Sequence, residues 1–280
     1  MKKMIAHRGA SAYAPEHTLA SYRLAIEQGA DYVEQDLAVT KDQVLICLHD
    51  ESLERTTNVE ELFPDRAVID PATGRTQWLA VDFTLAEIKR LDAGSWFSAR
   101  FAGERVPTWR EAVDAVGTAA GLYPELKTPA LYRSRGIDQT GLFITSIVEL
   151  GLHHRPAGSI VAQSFDDRPL RELARVFPLI PRTYLIEARD GAVWLTSDRL
   201  AEVARFATGI GPAKALVDGR ADLVRTAHEA GLTVTPYTFT TRSPADRFKD
   251  VRDEMRYYLT DLDVDALFTD NPDRFPREAH

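Results

Sequence analysis

Short apolar runs alternate along the chain with segments of helical periodicity. Each run is brief and several are rich in β-branched side chains, which is typical of strands buried on both faces. The candidate strands are residues 4–6, 31–37, 44–48, 121–126, 159–162, 182–186, 213–217, 232–237 and 266–269. Amphipathic patterns lie between most of them, and one of these places Leu19, Tyr22 and Ile26 on a single helix face.

The regular alternation of strands and helices predicts the fold class. It is typical of a parallel sheet with helices on the outside. About eight such repeats in 280 residues favour an α/β fold of the TIM-barrel type, a (β/α)8 barrel, with residues 1–280 in one domain. The alternative is an open doubly wound sheet, although no strand is followed by a G-x-G-x-x-G motif. Nine candidates exceed eight strands, and the hairpin-like spacing at 40–43 allows one neighbouring strand to lie outside the barrel.

Residues 51–107 interrupt this alternation. The stretch is charged and holds one short helix, whose start carries a capping box of Thr84 and Glu87. A second capping box, Thr108 with Glu111, restarts the barrel pattern. We interpret 51–107 as a small insertion after the third strand. Because substrates bind at the carboxyl ends of barrel strands, we expect it to form part of the wall of the site; a passive surface excursion is the alternative.

The charge balance and the cysteine content limit the possible partners. Forty-two acidic residues against 34 basic ones give a formal charge of −8. This balance argues against a nucleic acid or an anionic membrane as partner, because both are polyanions. The single cysteine, Cys47, excludes an internal disulfide and a cysteine-based zinc cluster. None of these features indicates the oligomeric state.

The apolar segments also bear on the compartment. No apolar run approaches the roughly 20 residues of a transmembrane helix, and the first residues lack the apolar stretch of a secretory signal. We therefore expect a cytoplasmic protein without a transmembrane segment. A periplasmic or secreted protein whose leader segment has been removed is the alternative.

Acidic residues interrupt two of the apolar strand candidates. Glu34 and Asp36 are two residues apart on one strand, so both point to the same side, and Glu125 and Lys127 repeat this geometry on another. Buried carboxylates repel each other and need a cation or water. Three hard oxygen ligands from two strand ends suit Mg²⁺ or Ca²⁺ better than zinc. The residues alone leave two interpretations open, a divalent-metal site or a salt bridge at the barrel rim.

Two further strand candidates end in histidine. His7 and Arg8 follow the first strand, and His49 follows residues 44–48. Histidine titrates near neutral pH and is suited to proton transfer, while the planar guanidinium of Arg8 matches a phosphate or carboxylate. A lone histidine at a strand end is most often structural. Two of them near an acidic pair favour a role in proton transfer.

Nine short motifs follow one another along nearly the whole chain. They are AHRGA at 6–10, APEHT at 14–18, GADYVEQD at 29–36, TKD at 40–42, LHD at 48–50, RTT at 55–57, PELK at 124–127, QSF at 163–165 and FTDNP at 268–272. In this order and spacing they resemble the glycerophosphodiester phosphodiesterase family. Residues 63–66 and 81–85 resemble the subgroup related to bacterial periplasmic glycerophosphodiesterases.

The resemblance implies a (β/α)8 barrel with a small insertion, and it implies roles for individual side chains. They comprise metal ligands (Glu34, Asp36 and Glu125), a catalytic acid–base pair (His7 and His49) and substrate-binding residues (Arg8, Lys127, Gln163 and Tyr237). The implied cofactor is one divalent cation, Ca²⁺ or Mg²⁺. His17 occupies a position where many relatives have Asn and some close ones have His, and we interpret it as structural, at most a contact of a metal ligand. Tyr237 occupies a position where relatives often have Trp.

The activity implied by the resemblance is metal-dependent hydrolysis of a small-molecule glycerophosphodiester to sn-glycerol 3-phosphate and an alcohol. In the family, a glycerol hydroxyl of the substrate is thought to attack first, and water then opens the cyclic phosphate. The two histidines would exchange acid and base roles between these steps. A lysophospholipase D or a sphingomyelinase-D-like enzyme is the alternative. Trp78, Trp96 and Phe97 of the insertion are candidate lipid contacts for such an enzyme, and core packing explains these three side chains equally well. A non-catalytic binding module is a third hypothesis, and it predicts that at least one of the charged site residues is missing.

Overall fold

A computed structural model of the protein describes residues 2–242 and 247–277. The strands in this part of the chain are β1 (Lys3–Ala6), β2 (Tyr32–Val39), β3 (Leu45–Cys47), β4 (Val68–Ile69), β5 (Thr76–Gln77), β6 (Gly121–Leu126), β7 (Ala162–Ser164), β8 (Arg182–Ile186), β9 (Gly209–Pro212), β10 (Thr233–Val234) and β11 (Ala266–Thr269). The α-helices are α1 (Leu19–Glu27), α2 (Val59–Leu62), α3 (Leu85–Ile88), α4 (Trp109–Val116), α5 (Pro129–Ser134), α6 (Gln139–Glu149), α7 (Asp167–Val176), α8 (Gly191–Trp194), α9 (Ser197–Val203), α10 (Ala221–Glu229) and α11 (Val251–Thr260). In these residues no helix combines the length and the apolar character that a membrane span requires.

Eight parallel strands form a nearly closed barrel with helices between them. Their order around the barrel is β10-β9-β8-β7-β6-β2-β1-β11. Backbone hydrogen bonds also join the two ends of this series, because the Asp265 amide donates to Val234 O (3.0 Å) and the Phe239 amide donates to Phe268 O (2.8 Å). The predicted (β/α)8 barrel is confirmed, and the open doubly wound sheet is wrong.

Strand β3 lies outside the barrel. It pairs antiparallel with β2, with Cys47 opposite Leu37, so it is the excess strand that the hairpin-like spacing at 40–43 allows. The Leu48 amide donates to Asp36 O at 2.9 Å. The chain therefore returns alongside β2, and His49 comes to lie near the acidic pair.

One of the strand predictions is wrong. Residues 213–217 contain a 3-10 turn at Lys214–Leu216, and the barrel strand is β9, whose sequence GIGP has the composition of a turn. A Cβ atom at Gly209 would overlap Thr233 Oγ1, and one at Gly211 would lie 2.6 Å from the Leu185 side chain. Close packing against the neighbouring strands thus requires glycine here. Strand β7 is displaced towards the C-terminus from the predicted residues 159–162, and β10 is shorter than the predicted residues 232–237.

Residues 51–107 build an apolar cluster of their own beside the barrel. Both predicted capping boxes are present, at the starts of α3 and α4. The cluster contains buried side chains from the insertion and from β2 and β3, among them Ala38, Ile46, Leu53, Val59, Trp78, Phe83 and Leu91. Trp78 is only 6% exposed. It packs inside this cluster, whereas Trp96 is 41% exposed.

Candidate active site

A pocket of about 220 Å³ opens at the carboxyl ends of the barrel strands. Its lining includes all nine side chains predicted as site residues, together with four apolar or small neighbours: His7, Arg8, Glu34, Asp36, His49, Glu125, Lys127, Gln163, Phe165, Leu185, Tyr237, Thr238 and Phe268. No residue of 51–107 lines it, so the expectation that the insertion forms a wall of the site is wrong. The physical reason is the antiparallel return of β3, which places His49 at the wall and the insertion behind it.

The strand register explains why residues distant in sequence meet here. Strands β2 and β6 are paired with Asp36 opposite Glu125, and β6 and β7 are paired with Glu125 opposite Gln163. These three side chains therefore lie side by side at one level of the barrel. Glu34 lies one pleat earlier on β2 and faces the same way.

The three carboxyl groups are almost fully buried, with Glu34 and Asp36 each 1% exposed and Glu125 6% exposed. Burial and the Asp36 charge raise the pKa of Glu34 well above its usual range. Burial raises the pKa of Glu125 to about 8, with Asp36 adding to this effect and Lys127 opposing it. For Asp36, burial acts in the same direction, but the charges of Lys127, His17 and Arg8 hold its pKa well below its usual range. The cluster would therefore be stabilised by added positive charge.

Two cationic side chains lie against this cluster. The Arg8 amide donates to Glu34 Oε2 at 2.7 Å, and its guanidinium Nε lies 3.4 Å from Asp36 Oδ2. Lys127 Nζ lies 3.2 Å from Glu125 Oε1 and 3.8 Å from Asp36 Oδ1. Arg8 has a φ of +56°, so the chain turns sharply after β1 and aligns both its amide and its side chain with the acids.

Each of the two predicted catalytic histidines is held by an aspartate. His7 Nδ1 lies 2.7 Å from Asp270 Oδ1, and His49 Nδ1 lies 2.6 Å from Asp50 Oδ1. A carboxylate on Nδ1 fixes the ring tautomer and leaves Nε2 available to a bound molecule. Burial lowers the pKa of His49 although Asp50 opposes this effect. The neutral imidazole, which can accept a proton, is thereby favoured.

His17 lies beside the acidic pair and contacts one of its carboxyl groups. It is 3% exposed, with Nε2 2.8 Å from Asp36 Oδ2 and Nδ1 2.9 Å from the Tyr22 hydroxyl. Among the described residues, His17, Glu34 and Asp36 form a group that could hold a metal ion, since their ligand atoms lie within 4.8 Å of one another. Glu125, the third ligand implied by the resemblance, lies outside this group, opposite Asp36 on β6.

The other side of the pocket is more apolar. Phe165 and Tyr237 are in edge-to-face contact with ring centroids 6.0 Å apart. The Tyr237 hydroxyl donates to Ile186 O at 3.2 Å, so its ring rather than its hydroxyl is offered to the pocket. Gln163 is 2% exposed, and among the described residues its Oε1 has no hydrogen-bond partner. A buried acceptor of this kind is available to a ligand hydroxyl.

Sequence reasoning missed four residues that hold the predicted ones. They are Glu16, Asp50, Arg55 and Asp270. All four lie inside the family-like motifs APEHT, LHD, RTT and FTDNP, which was the signal that could have identified them.

A TIM barrel with buried carboxylates, two cations and two aspartate-bound histidines in one pocket defines an enzyme suited to anionic ester substrates. The sequence profile of the Glycerophosphoryl diester phosphodiesterase family matches residues 7–274. The chain belongs to this family and is an enzyme of the phosphodiesterase class.

Individual relatives resemble the chain over nearly its whole length. The glycerophosphodiester phosphodiesterase of Bacillus subtilis (strain 168) is 36% identical over 283 residues, which cover 97% of this chain and 84% of that protein. The crystal structure of glycerophosphodiester phosphodiesterase from Agrobacterium tumefaciens has a TM-score of 0.72 at 28% identity and covers 98% of this chain and 99% of that one. An Oleispira antarctica phosphodiesterase, solved in complex with the product sn-glycerol-3-phosphate, has a TM-score of 0.74 at 27% identity, with 99% and 96% coverage.

Proposed function

We propose that this enzyme hydrolyses a glycerophosphodiester to sn-glycerol 3-phosphate and an alcohol, using one divalent cation and two histidines. The observation that carries the proposal is the convergence of three carboxylates, two cations and two aspartate-held histidines in one pocket of about 220 Å³. The name of the Bacillus subtilis relative and the product bound to the Oleispira antarctica phosphodiesterase support the same substrate class. These relatives favour glycerophosphodiesters over the lipid-directed alternative.

The donor set fits a divalent cation. Glu34, Asp36 and Glu125 would hold it, because carboxylate oxygens are the ligands that Mg²⁺ and Ca²⁺ prefer. His17 would fix the orientation of Asp36 through its bond to Oδ2. When bound, the cation would supply charge neutralisation and polarise the phosphoryl group.

Arg8 and Lys127 would bind the phosphate. Both are largely buried, at 17% and 16% side-chain exposure, so their charges are poorly screened by solvent. Arg8 offers a planar fork to the phosphate oxygens and Lys127 a compact charge. Their positive charge lies where negative charge accumulates in the reaction.

His7 and His49 would transfer the protons. The bonds to Asp270 and Asp50 engage the two Nδ1 atoms, so the Nε2 atoms would be the ones that face the substrate. One imidazole accepts the proton of the attacking hydroxyl while the other donates a proton to the leaving oxygen, and the roles exchange when water opens the cyclic product. Gln163 and Tyr237 would contact the glycerol group, through Oε1 and the ring face respectively.

A coupled assay for released sn-glycerol 3-phosphate tests this function. With glycerophosphocholine, glycerophosphoethanolamine and glycerophosphoglycerol, we expect turnover with at least one head group. Thorough chelation should abolish activity, and Ca²⁺ or Mg²⁺ should restore it. Undiminished activity after chelation would exclude an essential cation. Failure to release glycerol 3-phosphate from any head group, with lysophosphatidylcholine cleaved instead, would contradict the proposed substrate.

A further inference from the structure

A series of ion pairs behind the pocket connects two of its lining residues, Arg8 and His49. Arg55 lies in the insertion and binds two carboxylates at once. Its Nη1 and Nη2 donate to Glu16 Oε2 and Oε1 at 2.9 and 2.7 Å, and its Nη2 donates to Asp50 Oδ1 at 3.2 Å. Its Nε also donates to Asp50 Oδ2. The guanidinium therefore makes fork-like contacts with both acids, a geometry that lysine cannot reproduce.

Each of these carboxylates in turn holds a residue that lines the pocket. Glu16 Oε1 accepts a hydrogen bond from Arg8 Nη1 at 3.0 Å. Asp50 Oδ1 lies 2.6 Å from His49 Nδ1. The series Arg8–Glu16–Arg55–Asp50–His49 is thus continuous, with Arg55 at its centre.

We propose that Arg55 is a positioning residue, which aligns the phosphate-binding Arg8 and the acid–base His49 through Glu16 and Asp50. The inference rests on the proposed function for the roles of Arg8 and His49. It also explains what the insertion does for the site. The insertion lines no part of the pocket, yet it holds two pocket residues from behind.

The local backbone is built to hold Arg55 in place. Thr57, two residues on, is buried, and its hydroxyl donates to Leu53 O at 2.7 Å. The Val59 amide donates to the same hydroxyl at 3.3 Å. The turn that carries Arg55 is therefore fixed against the apolar cluster of the insertion, whereas the Arg55 side chain is itself 42% exposed.

The experiment compares Arg55→Gln with Arg66→Gln, a matched control from the same insertion. Arg66 is 37% exposed and pairs with Glu87 at 2.9 Å, away from the pocket. We expect R55Q to lower kcat about tenfold or more, as for the loss of other orienting partners, and R66Q to retain the wild-type value. Thermal denaturation of both variants checks that each is folded at the assay temperature. Arg55→Lys should recover only part of the loss.

A double-mutant cycle identifies the route of the effect. If Arg55 acts on His49 through Asp50, R55Q should lower kcat by a smaller factor in the D50N background than in the wild type. A loss from R55Q of the same factor in both backgrounds, a wild-type kcat for R55Q, or an equal loss in R66Q would each overturn the proposal. If R55Q does not fold, R55K provides the same comparison, and a wild-type kcat for R55K would equally overturn it.

A binding measurement separates this inference from the proposed function. Calorimetry with sn-glycerol 3-phosphate reports on the Arg8 side without turnover, and R55Q should weaken binding about fivefold while R66Q leaves it unchanged. If the wild type cleaves no glycerophosphodiester but this difference in affinity appears, the proposed function fails and the positioning role stands. Equal affinities in wild type and R55Q would contradict the link to Arg8.

Discussion

The two aspartate-held histidines occupy the same pocket but are supported in different ways. His7 and Asp270, here called the His7 pair, follow adjacent barrel strands β1 and β11, and the His7 amide also donates to Thr269 O at 2.9 Å. His49 and Asp50, the His49 pair, follow β3, which lies outside the barrel. The side chains of the His7 pair are 20% and 15% exposed, and those of the His49 pair are 31% and 29% exposed.

The two pairs hold an imidazole in a fixed orientation by different contacts. An imidazole that transfers protons must keep a fixed tautomer and direction. The closed barrel fixes the His7 pair through the register of its own strands. The His49 pair follows a strand outside the barrel, and Arg55 of the insertion binds its Asp50 carboxylate.

Removing either imidazole should have the largest effect. His7→Ala and His49→Ala should each lower kcat by about 10²–10⁴-fold, because each loses a positioned proton carrier. Steady-state rates of glycerol 3-phosphate release measure this loss, and circular dichroism checks that the variants fold.

His228→Ala is the matched control for these two variants. His228 Nε2 also binds an aspartate, Asp265 Oδ2 at 2.9 Å, but neither residue lines the pocket. It should keep the wild-type rate. A full rate in either pocket variant would refute the acid–base role of that histidine.

Replacing the supporting aspartates should separate the two pairs. Asp270→Asn should lower kcat about 100-fold and Asp50→Asn about tenfold. The Asp270 contact is the more buried, so water replaces its bond less readily, while Arg55 can still hold the amide oxygen at position 50. The ratio of the two kcat values measures the difference, and equal losses would contradict the view that the pairs are supported differently.

The parts of the site that a single strand determines could be predicted from the sequence. Glu34 and Asp36 face one way because side chains alternate along a strand, and the resemblance to a family then supplied roles for them. The spacing at 40–43 likewise indicated a hairpin. By contrast, β9 was missed because its glycines are dictated by Thr233 and Leu185 on neighbouring strands, which no local pattern reveals.

The motifs contain the supporting residues, but which residues contact each other could not be predicted from local patterns, because the contacts join distant segments. His7 and Asp270 are 263 positions apart, and Glu16 and Arg55 are 39 apart. His17, which contacts Asp36, has a φ of +55°, a backbone conformation that few residues other than glycine adopt. Such contacts depend on closure of the barrel and on packing of the insertion, so hydrophobic periodicity carries no information about them.

Replacing Glu16 should change the pH dependence of stability. Burial alone would raise its pKa, but bonds to Arg55 and the charge of Arg8 lower it to about 2 from a usual 4.5. A lowered carboxyl pKa stabilises the fold above pH 4.5, and this contribution is lost as the pH falls towards 2. The difference in unfolding free energy between wild type and Glu16→Gln should therefore shrink by about 2 kcal/mol from pH 6 to pH 3. Urea denaturation at each pH measures this difference, and Glu149→Gln, which replaces an exposed carboxyl group, is the control. If the difference between wild type and Glu16→Gln were the same at both pH values, Arg55 and Arg8 would not stabilise the ionised carboxylate.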